Sequence, residues 1–154
     1  MKNNKQGFTL IELLVVIAII GLLSTLSIVA LNSARARSRD ARRVSDIKQI
    51  QTALEMYYNA ANQYPTVGSG ADQLSTSTSP AIKFGGVTFM NAWPVAPSPA
   101  DNPGNAATPC TAANNAYAYT VASNNTTYTV SYCLGAATGD IPGGINTASP
   151  SGVK

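Results

Sequence analysis

From Phe8 to Leu31 the chain is apolar apart from small hydroxyl residues, Gly21 and one ionisable group, Glu12. At a rise of about 1.5 Å per residue this run makes a helix of roughly 36 Å, enough to cross a bilayer core of about 30 Å. A helix that is apolar all round needs lipid or other apolar helices on every side. A carboxylate in such a helix costs roughly 2.5–3.5 kcal/mol at the bilayer centre and less toward an end, so its retention points to function. Glu12 lies one turn after Phe8, and Phe8 follows a short basic leader, Met1 to Gly7, that ends in glycine. An acid one turn inside a new N-terminus is well placed to pair with an α-amine. Two plainer readings compete. A secretory signal peptide has an apolar core of about 7–15 residues and a small-residue cleavage site; this run is longer, carries an acid near its start, and offers only Ile28-Val29-Ala30. An ordinary single-pass anchor with an accidental glutamate is the other.

The heptapeptide Gly7-Phe8-Thr9-Leu10-Ile11-Glu12-Leu13 resembles the processing motif of type IV pilins and of the related pseudopilins of type II secretion. It combines a leader glycine, a following phenylalanine, a glutamate at fixed spacing and an uninterrupted apolar run. A weaker resemblance continues through Asp46-Ile47-Lys48-Gln49-Ile50-Gln51-Thr52-Ala53-Leu54 to Tyr64-Pro65-Thr66 and fades beyond about residue 66. The resemblance implies that a prepilin peptidase/methyltransferase cuts between Gly7 and Phe8 and N-methylates Phe8. It further implies that Glu12 meets the Phe8 amine of a neighbouring subunit as a membrane assembly platform builds the filament. Many pilins have a proline where this chain has Val29, a departure that puts local melting of the helix in the filament in doubt.

The implied location is the cytoplasmic membrane, single-pass with the head outside the cytoplasm, and afterwards a cell-surface or periplasmic filament. Charge counting points the other way. Lys2 and Lys5 precede the span, whereas Arg35, Arg37, Arg39, Arg42 and Arg43 follow it, and positive residues favour the cytoplasmic side. The resemblance and the cysteines outweigh that count.

The expected fold class is α+β: a long N-terminal helix, transmembrane in its first half, packed by its second half on a small antiparallel β-sheet head. The expected parts are leader 1–7, transmembrane or filament-core helix 8–31, amphipathic helix 32–63 and β/loop head 64–154. No proline occurs between the leader and Pro65, so one helix is predicted over about 8–62, ending where the residue before proline disfavours the α region. The arginine-rich segment 33–43 reads as a solvated collar facing the headgroups. Its functional alternatives are subunit contacts or attraction to anionic lipids, with Arg42–Asp46 pairing at i,i+4 and Asp40 and Asp46 offsetting arginines of neighbours. Val44, Ile47, Ile50, Leu54, Tyr57 or Tyr58, and Ala61 recur at three- and four-residue steps and mark the face turned to a sheet.

In the head, 117–121 and 128–132 alternate as a hairpin whose aromatic face meets the helix, and 86–90 reads as a further strand. Residues 66–81 and 91–109, rich in Ser, Thr, Gly, Pro and Ala, read as surface loops. The tail from Gly135 has few apolar anchors beyond Ile141, Ile145 and Val153, and is expected to be partly mobile.

With the head outside the cytoplasm, the two cysteines suggest one disulfide, Cys110–Cys133; two independent buried thiols are the rival. The link would close a loop of about 24 residues, stabilising a small head by roughly 3 kcal/mol. Other chemistry is sparse. The chain has no histidine, the commonest general base and a common zinc ligand. No nucleophile has a candidate base, and no glycine-rich phosphate loop follows a strand. No catalytic residue, cofactor or metal is therefore assigned, and the expectation is a non-enzyme. Asp101 and Asp140 lie in Gly/Pro-rich loops where calcium is conceivable, but such sites want six to eight oxygens. Asn124-Asn125-Thr126 and Asn125-Thr126-Thr127 match the glycosylation pattern by composition alone. Loss of Lys2 and Lys5 would take the formal charge from +3 to +1, and the near-neutral head carries no basic footprint for nucleic acid.

The function expected is thus a structural subunit of a type IV pilus-like filament, with itself, the peptidase, the assembly platform and, before assembly, the lipid bilayer as partners. The alternatives are a pseudopilin of a type II secretion or DNA-uptake machine, or a minor pilin acting as an adhesin.

Overall fold

The computed structural model describes residues 7–67, 81–101, 110–111 and 115–153. A single helix, α1, runs Leu10–Ala61. The chain divides into two units at Arg35/Ala36.

In the first unit α1 has no tertiary partner. Every described residue from 7 to 34 is exposed, with Ile11 at 70%, Leu22 at 64% and Val29 at 70%. The hydroxyls between Leu10 and Leu31 are satisfied within the helix: Ser24 donates to the Ile20 carbonyl at 2.7 Å, Thr25 to Leu22 at 2.8 Å and Ser27 to Leu23 at 2.8 Å. A helix in hydrocarbon must satisfy its polar groups internally. Between Leu10 and Leu31 each hydroxyl has such a bond, and by length and composition the helix can cross a membrane.

In the second unit α1 buries one stripe. Ile47, Ile50, Ala53, Leu54 and Tyr57 are all at most 2% exposed, with Val44, Tyr58 and Ala61 half-buried beside them. This is the face the three- and four-residue spacing marks. The helix stops after Ala61, where Asn62 takes a left-handed φ of 55° and its N–H reaches the Tyr58 carbonyl at 2.7 Å. A left-handed residue just past the last turn is a common helix end, and asparagine tolerates it. Tyr64, preceding Pro65, is disfavoured in the α region.

Two antiparallel sheets complete the head. β1 (Ile82–Phe84) and β2 (Val87–Met90) form a hairpin with Phe84 opposite Val87. Its two-residue turn is Gly85-Gly86, at φ 58° and 82°; both positive values suit glycine and match the strand twist. The larger sheet has β3 (Ala118–Val121), β4 (Tyr128–Leu134), β5 (Gly144–Ser149) and β6 (Gly152–Val153) in that order, all antiparallel. β4 is its apolar centre. Tyr128, Val130 and Tyr132 alternate inward, then Cys133 and Leu134 are both buried. Aromatic contacts tie the layers, with Tyr64 against Tyr128 at 4.7 Å, Tyr57 against Phe84 at 5.4 Å and Trp93 against Tyr119 at 6.0 Å between ring centres. Such pairs add roughly 0.5–1.5 kcal/mol each beyond area burial.

Two expectations need correcting. The tail is structured, since it forms β5 and β6. Its inward positions are Gly144, Asn146 and Ala148, too small or too polar to register as a strand. The buried Asn146 amide is satisfied by the Pro142 and Gly144 carbonyls, each at 2.9 Å. The segment 91–101 is also more than a surface loop, because Trp93 is buried and Asp101 faces inward onto α1. The remainder of that predicted loop, 102–109, and residues 68–80 of the other lie outside the described residues.

Candidate processing and assembly segment

At the start of α1, Thr9 and Glu12 form a reciprocal cap. The Thr9 N–H and hydroxyl donate to Glu12 Oε2 at 2.8 and 2.7 Å, and the Glu12 N–H donates to Thr9 Oγ1 at 3.3 Å. This Thr-x-x-Glu arrangement satisfies two orphan donors of the first turn. One carboxylate oxygen carries the cap, while Oε1 has no partner among the described residues. Phe8 is 84% exposed beside it, and no atom lies within 4 Å of where a Cβ on Gly7 would stand. Gly7, Phe8 and Glu12 thus fall within one exposed segment at the start of α1. The Thr9 role is one the sequence reading missed, although Thr-x-x-Glu before an apolar run is a legible signature.

The arginine-rich segment corrects a third expectation. Arg43 is 1% exposed. Its Nη1 donates to Asp40 at 2.7 Å and Asp101 at 2.9 Å. Its Nη2 donates to the carbonyls of Pro97 and Pro99 at 2.9 and 3.1 Å and to Asn115 Oδ1 at 3.1 Å. Arg39 clamps Asp101 through both carboxylate oxygens, with Nε to Oδ2 at 2.7 Å. Asp40, fully buried, also accepts the Gly135 and Ala136 N–H groups at 2.9 and 3.0 Å. One arginine thereby binds α1, the 97–101 segment and Asn115, and Asp40 adds the end of β4. Gly135 packs so closely here that a Cβ would stand 2.2 Å from Asp101 Cβ.

Hydrogen bonding from Arg39 first, and from Arg43 second, holds the Asp101 carboxyl below the usual carboxylate range, with burial opposing. So Arg39, Arg43 and Asp40 serve the head itself and not a solvated collar or a neighbour. Asp101 is engaged by guanidinium groups, and no cluster of metal-ligating side chains occurs among the described residues. Asp46 lies 4.0 Å from Arg42 and accepts the Tyr117 hydroxyl at 2.9 Å. Burial, then this bond to the Asp46 carboxylate, raises the Tyr117 pKa.

Cys110 and Cys133 are joined, with Cα atoms 5.8 Å apart. The bond fastens Cys110 to β4, two residues from Gly135. Replacing both cysteines by serine is expected to lower stability by about 3 kcal/mol, the loop-closure value for this separation. Thermal unfolding of the full chain in detergent checks the loss, and non-reducing mass spectrometry of the wild type should find it two hydrogens lighter than its reduced form.

Residues 2–28 match the family described as the prokaryotic N-terminal methylation motif. Over 73 residues, 47% of this chain and 51% of the relative, the chain is 40% identical to type II secretion system core protein G of Aeromonas hydrophila. It is 38% identical over 72 residues to the core protein G of Escherichia coli K12, covering 50% of that protein. To the type IV major fimbrial protein FimA of Dichelobacter nodosus it is 46% identical over 55 residues, 35% of that protein. The chain thus spans about half the length of the curated core protein G relatives it matches. No solved structure matches it. The chain thus carries a methylation motif at the start of an exposed apolar helix, and over its N-terminal part it is similar to both a secretion core protein G and a fimbrial protein.

Proposed function

We propose that this chain is the structural subunit of a type IV pilus-like filament, polymerised through the first half of α1. The observation that carries the reading is the exposed apolar helix bearing one carboxylate, Glu12, a turn from the Gly7–Phe8 junction. Before assembly the helix resides in the cytoplasmic membrane with the head outside the cytoplasm. A prepilin peptidase removes residues 1–7 and methylates the Phe8 amine. The subunit then moves from lipid into a bundle of like helices, where Glu12 Oε1 receives the Phe8 ammonium of a neighbour. The driving physics is an exchange of one apolar surrounding for another, with the two charges neutralised together.

A second reading has its own support. Core protein G relatives recur among the matches, which favours a short periplasmic pseudopilus of a secretion machine. Both readings share the processing and assembly steps. Imaging of the cell surface with label on this subunit separates them, since long external fibres support the pilus and their absence beside a cleaved subunit supports the pseudopilus.

Cleavage requires a peptidase to approach the backbone at Gly7, where a side chain would intrude. Gly7→Val is accordingly expected to leave the leader attached, read as intact mass of the membrane-extracted protein. A wild-type chain that keeps residues 1–7 beside its cognate peptidase would refute the reading.

A further inference from the structure

Resting on the filament reading above, we propose that the heads of neighbouring subunits join as knob and groove: the tight turn carrying Asp140 on one copy seats beside Lys48 in a groove on the next. Both features belong to the second unit. The groove lies between α1 and β2 and has a volume of about 660 Å³. Val44, Ala53, Met56, Phe89 and Met90 give it apolar walls, and among the described residues Lys48 is the one charged side chain that lines it. Lys48 is exposed and has no acidic partner among those residues.

The matching charge on a second copy is Asp140. The other described carboxylates of this unit are engaged: Asp40 and Asp101 hold Arg43 and Arg39, Asp46 accepts the Tyr117 hydroxyl, and Glu55 accepts the Tyr64 hydroxyl at 2.8 Å. Asp140 is exposed and has no basic partner among the described residues. Its turn is already shaped for docking. The Thr138 N–H reaches the Ile141 carbonyl at 2.9 Å and the Ile141 N–H returns to Thr138 at 3.3 Å. Gly139 takes a φ of 62°, as the first central residue of a type II′ turn does. The exposed neighbours Ala136, Ala137 and Gly139 are small, so the carboxylate is the longest group at the tip. Seated between apolar walls, the Lys48–Asp140 pair meets less water and attracts more strongly than in bulk solvent. Groove and knob share no residue, so each copy offers one to each of two neighbours. Such a heterologous contact propagates into a ring or an open helical filament and does not stop at a closed pair.

The test uses filaments of the full chain assembled in cells, whether sheared from the surface or retained in the envelope. A water-soluble carbodiimide, which joins an amine to a carboxylate in contact with it, should give a ladder of dimers and higher species whose linked peptides contain Lys48 and Asp140. Like charges facing each other across an interface are strongly unfavourable, so Lys48→Glu and Asp140→Lys should each lower filament yield about ten-fold or more. The chain carrying both changes should recover the wild-type yield, and Lys83→Glu, an exposed charge outside the groove, should match the wild type. Trp93 fluorescence should show every variant melting with the wild type, since both side chains are exposed. Wild-type filaments in which Lys48 is linked to another carboxylate or to none overturn the proposal alone. So do single reversals that assemble normally, or a double variant that stays as poor as the singles. A processed wild-type subunit that never polymerises overturns the proposal together with the filament reading.

Discussion

Glu12→Ala chains are expected to be cleaved, to remain in the membrane and to form no filaments. In the assembled state proposed here the Phe8 ammonium lies among apolar helices, and Glu12 is the only acid within the run. Removing one partner of a buried ion pair leaves the other charge uncompensated and costs about 3–5 kcal/mol. At every subunit contact that is a loss of more than about a hundred-fold in association. The structure supplies a control that charge arguments alone would lack. Glu12 also caps α1 through Thr9, and losing a cap costs only about 0.5–2 kcal/mol. Glu12→Gln keeps an acceptor for the Thr9 N–H yet removes the charge. If pairing with the amine drives assembly, Glu12→Gln fails as Glu12→Ala does. If the cap alone matters, Glu12→Gln assembles normally. The measurement is sheared filament yield against processed, membrane-bound subunit in the same cells. Normal filaments from Glu12→Ala would end the pairing mechanism.

What the sequence disclosed about this molecule follows from the range of each signal. The apolar run and the stripe from Ile47 to Tyr57 are local periodicities, and a single helix satisfies both. The β3–β4 hairpin was equally legible because Tyr, Thr and Val alternate on both sides of a polar turn. β5 was not, since Gly144, Asn146 and Ala148 are inward for lack of bulk, in a place where the neighbour Tyr132 and the helix already fill the core. The arginine-rich segment misled for a different reason. Nothing local distinguishes Arg37 from Arg39, and only Asp101, 62 residues away from Arg39 in sequence, draws one of them inward. The Asp40–Arg43 spacing of i,i+3 was visible, but burial of the pair depends on Gly135, where the lack of a side chain lets Asp101 approach. At the N-terminus the case is reversed. Gly7, Phe8 and Glu12 are legible as a motif although they make no tertiary contact among the described residues, as the proposed function, whose partners are other macromolecules, would require.

The second large effect is expected at Arg43. Arg43→Ala should destabilise the head by about 3 kcal/mol, the lower end of the range for breaking a buried pair. The lower end applies because Asp40 keeps the Gly135 and Ala136 N–H donors and Asp101 keeps Arg39. For a domain of this size that is a fall of more than about 10 °C in Tm. Trp93, the single tryptophan, is buried against Tyr119 and reports the transition in the full chain by fluorescence. Arg43→Lys should fall between, because an ammonium keeps the charge but cannot span two carboxylates, two carbonyls and Asn115 at once. The pH dependence carries a fixed sign. Asp101 has a depressed pKa in the folded chain, so its contribution is fully present above the unfolded value of about 3.9 and is lost as pH falls through the lower folded value. Wild-type Tm should therefore show no loss from this group between pH 7 and pH 5 and should drop only in stronger acid. Asp101→Asn should flatten that acid limb. An Arg43→Ala chain that melts with the wild type would mean that the buried guanidinium stabilises nothing, and that the disulfide and the aromatic layer alone hold the 97–101 segment against α1.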